Sequence, residues 1–406
     1  HGQPRGVERE RGRRRLVHRG RRRALEARHV ALFADAPRVA VFRRKILPWS
    51  ETFIASQTMA LEAYAPVYIG YELDARGAKY VEGRERVLLS DHSLLPPLGK
   101  LQVKYLGRAP GRWRDAIAAT KPTLVHAFFG SSAIPAHSIS RALGIPLIVT
   151  YLGMDITVTP KTAAEVARRR RAFAAADKVL CVSDFLGEKL REAGCPPEKV
   201  RTLYTGVDTT KFVPATEPAA NAQVLFVGRL AAKKGVIHLI RAMPEVRRAI
   251  PGAELVIAGD GELRAELEAA AKALDLPVRF LGVQTPAQVN ELMRKATVLC
   301  GPSVVDARGN AEGLPFTFLE AQACGLPVVV STSGGTAEGA VDGKTGFFFA
   351  PGDEKALTKH LITILKDPAL RQRMSLAARA HMEQNFDLAR QTRVLESIYD
   401  EVRRKV

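Results

Sequence analysis

From about residue 37 onward, short apolar runs alternate with longer amphipathic segments, in two successive series. The first series is PRVAVF, APVYIG, RVLLS, TLVHAFF, IPLIVTYL, KVLCVS and KVRTLY, and the second is AQVLFVG, AELVIAG, PVRFLG, ATVLCG, LPVVVS and TGFFFA. Several runs are apolar throughout instead of alternating, as parallel strands covered on both faces are. Segments 50–63, 131–143, 160–176 and 184–193 predict helices in the first series, and 235–249, 261–274, 286–295 and 316–323 in the second. The tail from about 353 to 404 also reads as helices, and VPATEPAA at 213–220 as a linker without periodicity. Two such halves predict an α/β chain of two doubly wound, Rossmann-like parallel-sheet domains facing a cleft. The expected boundaries are an Arg-rich segment 1–30, a first domain 31–213, a linker 214–220 and a second domain 221–384. A helix at 385–406 is expected to pack back on the first domain.

A length of 406 residues agrees with two domains instead of one core. No apolar run approaches the roughly 18–20 residues of a membrane span. Residues 1–28 hold eleven Arg and three Glu, so they supply +8 of the formal net charge of +19. That segment lacks an apolar h-region and periodicity, and is read as disordered or as non-native sequence, not as a secretory signal. Without interleaved aromatics or a binding fold, charge alone does not make nucleic acid an expected partner. Cys181, Cys195, Cys300 and Cys324 form no Cys-x-x-Cys pair, which predicts buried thiols and a cytosolic location.

In open α/β sheets ligands bind at the carboxyl ends of the strands, and three junctions of the second half carry chemistry there. FVGRLAAKKG at 226–235 places Arg229 and Lys234 in a strand-to-helix loop behind Gly228. Two cations and a helix N-terminus suit a diphosphate, although basic loop residues are usually solvated. VIAGDGELRAELE at 256–268 repeats the arrangement, with Gly261 permitting a tight turn against a ligand, or a tight turn only. In EGLPFTFLEAQACGLPVVV, Pro315 fits the first helical turn, which leaves the amides of Phe316 and Thr317 as unpaired donors. Glu312 precedes that helix, and Glu320 lies about one and a half turns into it. A carboxylate accepts two hydroxyls at once, so both could hold sugars attached to a phosphate. The apolar flanks of Glu320 predict a largely covered surface, where a carboxylate needs partners.

GRLAAKKG, AGDGELRAELE, the pair of glutamates eight apart in EGLPFTFLE, EAQACGLPVV, GGTAEGAVDGKTGFFFAPGD and GVDTTKFVP stand in one order over about residues 200–352. In this the chain resembles the retaining GT-B glycosyltransferases of the "glycosyl transferases group 1" family. PWSETFIASQTMAL, LVHAFFG and IPLIVTYLGMDI resemble its exopolysaccharide or colanic-acid branch. The resemblance implies that Arg229 and Lys234 bind a donor diphosphate and that Glu320 holds the ribose. It also implies that Glu312 and the backbone at Gly313, Leu314 and Phe316 contact donor sugar and phosphate. The family's histidine in its HGxD segment is Leu152 here, and the second histidine of HAHFG is Phe128. His126 is then the remaining cleft imidazole, or else a packed core histidine.

What the resemblance implies is transfer of a sugar from a nucleotide-diphosphate sugar to a hydroxyl acceptor with retention of configuration. The acceptor is expected to be a saccharide or lipid-linked intermediate, with no cofactor beyond the donor. Arg229, Lys234 and the helix N-terminus would stabilise the leaving diphosphate. No Asp-x-Asp motif stands in the cleft loops and Asp306 is isolated, so metal independence is expected. The alternative is an inactive nucleotide-binding subunit partnering another glycosyltransferase. VARRRRAF at 166–173 could lie on an anionic membrane at its inner face, or be a solvated helix face.

Overall fold

The computed structural model describes residues 35–48, 51–75, 77–78, 81–92, 96–216 and 221–404. The Arg-rich segment 1–30, residues 217–220 of the expected linker and the last two residues lie outside them.

The first half contributes strands β1 (Arg38–Phe42), β2 (Lys45–Ile46), β3 (Ala65–Gly70), β4 (Glu72–Leu73), β5 (Arg86–Leu88), β6 (Pro122–Phe128), β7 (Leu147–Tyr151), β8 (Lys178–Cys181) and β9 (Val200–Thr202). The second half contributes β10 (Gln223–Val227), β11 (Glu254–Ala258), β12 (Val278–Gly282), β13 (Val298–Gly301), β14 (Val328–Ser331) and β15 (Gly346–Phe349). They form a seven-stranded sheet of order β5-β3-β1-β6-β7-β8-β9 and a six-stranded sheet of order β12-β11-β10-β13-β14-β15. The two short strands β2 and β4 pair separately. Neighbours within both sheets are parallel.

Continuous apolar runs are what such strands require, because helices cover both faces. Phe42, Ile69, Val125, Val149 and Val179 in one sheet and Val224, Leu225, Val298, Val329 and Val330 in the other are fully buried. Each such side chain contributes about 1.5–3 kcal/mol of hydrophobic free energy. Around residues 91–121, where the sequence patterning suggests no element, two helices stand at Pro96–Leu106 and Gly111–Ala118. The second is anchored by the buried ring of Trp113, against which Gly99 of the first packs closely. Val103 of the first helix and Ile117 of the second join Trp113 in the core of this half.

The strand orders reverse between β1 and β6 in one sheet and between β10 and β13 in the other. Adjacent loops diverge there, and a crevice opens beyond the carboxyl ends of the strands.

The chain crosses between the sheets twice. Val207 donates its amide to Phe386 O at 2.8 Å, and Leu388 donates to Val207 O at 3.0 Å, so the crossings are bonded to each other. The last helix, Leu388–Arg403, then packs on the first half: Leu395, Ile398, Tyr399 and Val402 share an apolar cluster with Val39, Val41, Leu124 and Leu180. Its Glu396 accepts the amides of Glu62 at 2.7 Å and Ala63 at 2.6 Å. All four cysteines are buried free thiols. Among the described residues no helix is long and apolar enough to cross a membrane.

Candidate active site

The loops after β10 and β13 flank the reversal of the six-stranded sheet and are tied together by the Val304 amide donating to Lys233 O at 2.8 Å. The β10 loop also meets the β11 loop backbone to backbone. A methyl group on Gly259 would run into the Gly228 carbonyl, and one on Gly261 into the Leu230 carbonyl. Glycine at 259 and 261 is therefore a packing requirement between two loops, in addition to any role toward a ligand.

Glu312 is almost wholly buried at 5% exposure. Its carboxylate pairs with Lys234 Nζ at 2.7 Å and with Lys233 Nζ at 3.3 Å. Burial opposes ionisation, but the two ammonium groups outweigh it and hold the carboxyl below its ordinary range. Burial in turn lowers the Lys233 ammonium against the pull of Glu312. Arg229 is exposed on the same loop, close enough that its charge also lowers Lys233. The structure thus brings Arg229, Lys234 and Glu312 together. It adds Lys233, the first lysine of the KK pair in AAKKG, where the sequence reading selects only the second.

Helix Phe316–Ala323 starts beside this cluster, at the residue the sequence pattern predicts. Pro315 is its N-cap, extended at ψ 117°, and its carbonyl accepts from Phe318 N at 3.0 Å. Among the described residues no backbone acceptor meets the amides of Phe316 and Thr317. The buried Leu314 and Phe318 seat the helix in the core. Glu320 is half-buried, one turn further on, and its carboxylate has no hydrogen bond or ion pair among the described residues. Burial lifts its carboxyl to about 7. A carboxylate in this position is free to accept hydrogen bonds from outside the chain.

The seven-stranded sheet faces this cluster with its own reversal point. Arg43, after β1, holds Glu51 through two bonds of 2.9 and 2.6 Å and lies over the Phe129 ring at 4.2 Å. Two residues past Glu51, the ring of Phe53 stacks on Phe316 across the cleft, 4.4 Å apart and 9° from parallel. Asp155 accepts the amides of Gly130 at 2.9 Å, Gly153 at 2.9 Å and Leu152 at 3.2 Å, pinning the loop after β7 to the loop after β6. Burial still leaves its carboxyl above the ordinary range, with the three amides acting the other way. The Leu152 carbonyl lies against Gly313, with room for no side chain there.

His126 is not in the cleft, which corrects the reading of it as a cleft imidazole. It is 0% exposed, with Nδ1 2.7 Å from the Tyr399 hydroxyl and Nε2 2.7 Å from Thr150 Oγ1. Its ring stacks on Phe128 at 4.3 Å, so the substituted residue of HAFFG is also core. Burial pushes the imidazole down to about 3, and it is neutral. The reason is strand geometry: His126 sits on the face of β6 covered by the last helix, 273 residues away in sequence. Among the described residues no group of three or more His, Cys, Asp or Glu could hold a metal ion. A shallow surface depression of about 450 Å³ between Pro244, Arg247, Leu274 and Asp275 lies at the opposite, amino end of the strands.

Two facing α/β sheets, with cations, a helix N-terminus and a partnerless carboxylate at one reversal point, define the GT-B architecture of sugar-transferring enzymes. Comparison with known proteins agrees. The structure of Alr3699/HepE of Anabaena in complex with UDP and glucose superposes with a TM-score of 0.73 at 20% identity, covering 90% of this chain and 100% of that one. Residues 208–381 match the family model described as Glycosyl transferases group 1, and residues 69–211 that of Glycosyltransferase Family 4. A GDP-mannose-dependent monoacylated alpha-(1-6)-phosphatidylinositol monomannoside mannosyltransferase of Corynebacterium glutamicum is 29% identical over 303 residues, 67% of this chain and 78% of its own. The amylovoran biosynthesis glycosyltransferase AmsK of Erwinia amylovora is 32% identical over 221 residues, 53% of this chain and 54% of its own. Residues 208–381 thus form a glycosyl transferases group 1 domain, and the chain is a glycosyltransferase.

Proposed function

We propose that the protein moves a sugar from a nucleotide-diphosphate sugar to a hydroxyl acceptor with retention of anomeric configuration. The observation that carries this reading is the Lys233–Lys234–Glu312 cluster beside the open amides of Phe316 and Thr317, with Glu320 partnerless behind them. Cleavage of the anomeric C–O bond places growing negative charge on the leaving diphosphate and oxocarbenium character on the sugar. Lys234, Lys233, Arg229 and the two amides meet the diphosphate charge. Glu320 accepts the ribose hydroxyls, and Glu312 faces the transferred sugar with the backbone of Gly313, Leu314 and Phe316. Gly228 and Gly261 let the neighbouring loops close around the nucleotide. No step needs a metal or a cofactor beyond the donor.

The acceptor is a saccharide or lipid-linked intermediate of polysaccharide or glycolipid synthesis. Relatives named for an exopolysaccharide and for a phosphatidylinositol mannoside support that range. On helix Ala163–Ala175, Arg168, Arg170 and Arg171 are exposed, whereas Arg169 turns inward to the Val158 carbonyl at 2.9 Å. Three outward guanidinium groups favour contact with anionic headgroups where a lipid-linked acceptor resides, at the cytoplasmic face. Flotation with anionic and neutral liposomes tests this, and equal flotation by a variant neutral at all three positions overturns it.

The transfer reading is tested with UDP-glucose and GDP-mannose, following release of the nucleoside diphosphate and the anomeric configuration of the product. Lys234→Ala should lower transfer by about 10²–10³, the scale of removing one preorganised charge stabiliser. Unchanged transfer in Lys234→Ala and Glu320→Ala overturns the site assignment.

A further inference from the structure

We propose that Glu338 is a positioning residue, a carboxylate latch that joins the two halves across the loop carrying Glu312. Glu338 belongs to the six-stranded half, at the end of the 3₁₀ helix Gly334–Gly339. Its carboxylate nevertheless caps a helix of the other half, Asp184–Glu192. Oε2 accepts the Asp184 amide at 2.6 Å and Oε1 the Phe185 amide at 2.8 Å. The Leu186 amide is met by the helix's own N-cap, Ser183 Oγ, at 3.3 Å. Ser183 alone cannot serve the first two amides, and the opposite half supplies what is missing. The Tyr204 hydroxyl donates to Glu338 Oε2 at 3.3 Å and reaches Asp184 Oδ2 at the same distance, while Thr202 Oγ1 donates to Asp184 Oδ1 at 2.6 Å. Those hydroxyls hold the Asp184 side chain beside the latch.

The other end of the same short segment holds the site. Gly335 donates its amide to Glu312 O at 3.0 Å, and a methyl group on Gly335 would strike the Gly313 carbonyl and Ser183. A rigid stretch of four residues therefore connects the helix of one half to the backbone of Glu312 in the other. Opening the cleft must break the Glu338 bonds, and closing it sets where Glu312 stands. A helix N-terminus attracts the carboxylate from a distance, so the latch also favours closure.

This rests on the reading of Glu312 as a donor-sugar contact, and the experiment separates the two. Small-angle scattering of the chain without nucleotide compares wild type with Glu338→Gln and Glu338→Ala. The radius of gyration should increase in the order Glu, Gln, Ala, because Gln keeps one acceptor and loses the charge. Steady-state transfer with the donor that wild type uses should then show kcat lowered by about 10²-fold in Glu338→Ala with donor KM unchanged. The Gln variant should fall between, and it carries the test if the Ala variant is unstable. Wild-type scattering in both variants overturns the latch, as does an opened chain that transfers at wild-type kcat. If Glu312→Gln leaves transfer untouched, the donor-site reading fails, while scattering still decides the latch.

Discussion

Lys234 Nζ and Glu312 Oε1 meet at 2.7 Å from loops on opposite sides of the reversal point of the six-stranded sheet. The pair is preorganised for a site where negative charge appears: the lysine is already fixed, and the carboxylate holding it is buried. Removing Lys234 leaves the buried carboxylate with Lys233 alone at 3.3 Å, at a cost of up to about 3–5 kcal/mol, the scale of breaking a buried pair. Lys234→Ala should therefore lower the urea midpoint markedly, whereas Lys234→Ala with Glu312→Gln should recover part of the loss. Because pairing holds the Glu312 carboxyl below its ordinary 4.5, its contribution is in force above pH 4.5 and is lost as the pH falls below that. A double variant no more stable than Lys234→Ala would show that the buried charge is not the cost.

Glu320 titrates in the opposite sense. Burial raises its carboxyl from 4.5 to about 7, so between those values the native state binds the proton that the unfolded state has released. That group's effect is to make stability decline as the pH rises from 4.5 to 7, and the loss persists above. Ribose hydroxyls donate to the ionised form, so binding should release a proton. Calorimetric titration with UDP or GDP near pH 6.5, in buffers of different ionisation enthalpy, should detect that release. Affinity should rise with pH through 7 in wild type and stay flat in Glu320→Gln. A pH-independent affinity in wild type would remove Glu320 from the ribose.

His126 separates fold from chemistry. Replacing it with Phe leaves the Tyr399 and Thr150 hydroxyls buried without their partner, at about 1–3 kcal/mol each. Thermal unfolding should shift down by several degrees, while kcat measured well below the transition should match wild type. With its native imidazole pushed from 6.5 to about 3, the unfolded state binds the extra proton in that window. Wild-type stability should therefore fall as the pH drops from 6.5 toward 3, and the Phe variant should lack this component. A folded variant with kcat lowered a hundredfold would return His126 to the reaction.

These cases also mark how far the sequence alone reaches. The strand runs and the helices at 286–295 and 316–323 are legible because each is a local pattern of apolar residues bounded by turn chemistry. Arg229 and Lys234 are legible as one loop because they lie between β10 and the next helix, whereas Glu312 and Glu320 stand before and within the helix after β13 and are legible through its Pro315 start. What is not legible depends on contacts between distant segments. Whether His126 faces cleft or core is decided by Tyr399, and the partner of Glu338 is a helix 154 residues away. Lys233 is passed over because adjacent residues of a loop usually diverge, whereas the short 3₁₀ helix Ala232–Lys234 turns both ammonium groups to one carboxylate.

The stack of Phe53 on Phe316 spans the cleft at the first residue of the helix whose leading amides are open. An aromatic pair of this kind contributes about 0.5–1.5 kcal/mol beyond its buried area. That is enough to bias an open–closed equilibrium several-fold without adding much to stability. Closure excludes water from the anomeric carbon, so a weakened clasp should change how the donor is partitioned between acceptor and water. Phe53→Ala should raise the ratio of donor hydrolysis to transfer and speed release of the nucleoside diphosphate, with melting temperature nearly unchanged. Phe53→Tyr keeps the ring and should behave as wild type. Equal hydrolysis-to-transfer ratios in the Ala variant and wild type would mean that the stack is packing only, and that closure depends on other contacts between the halves.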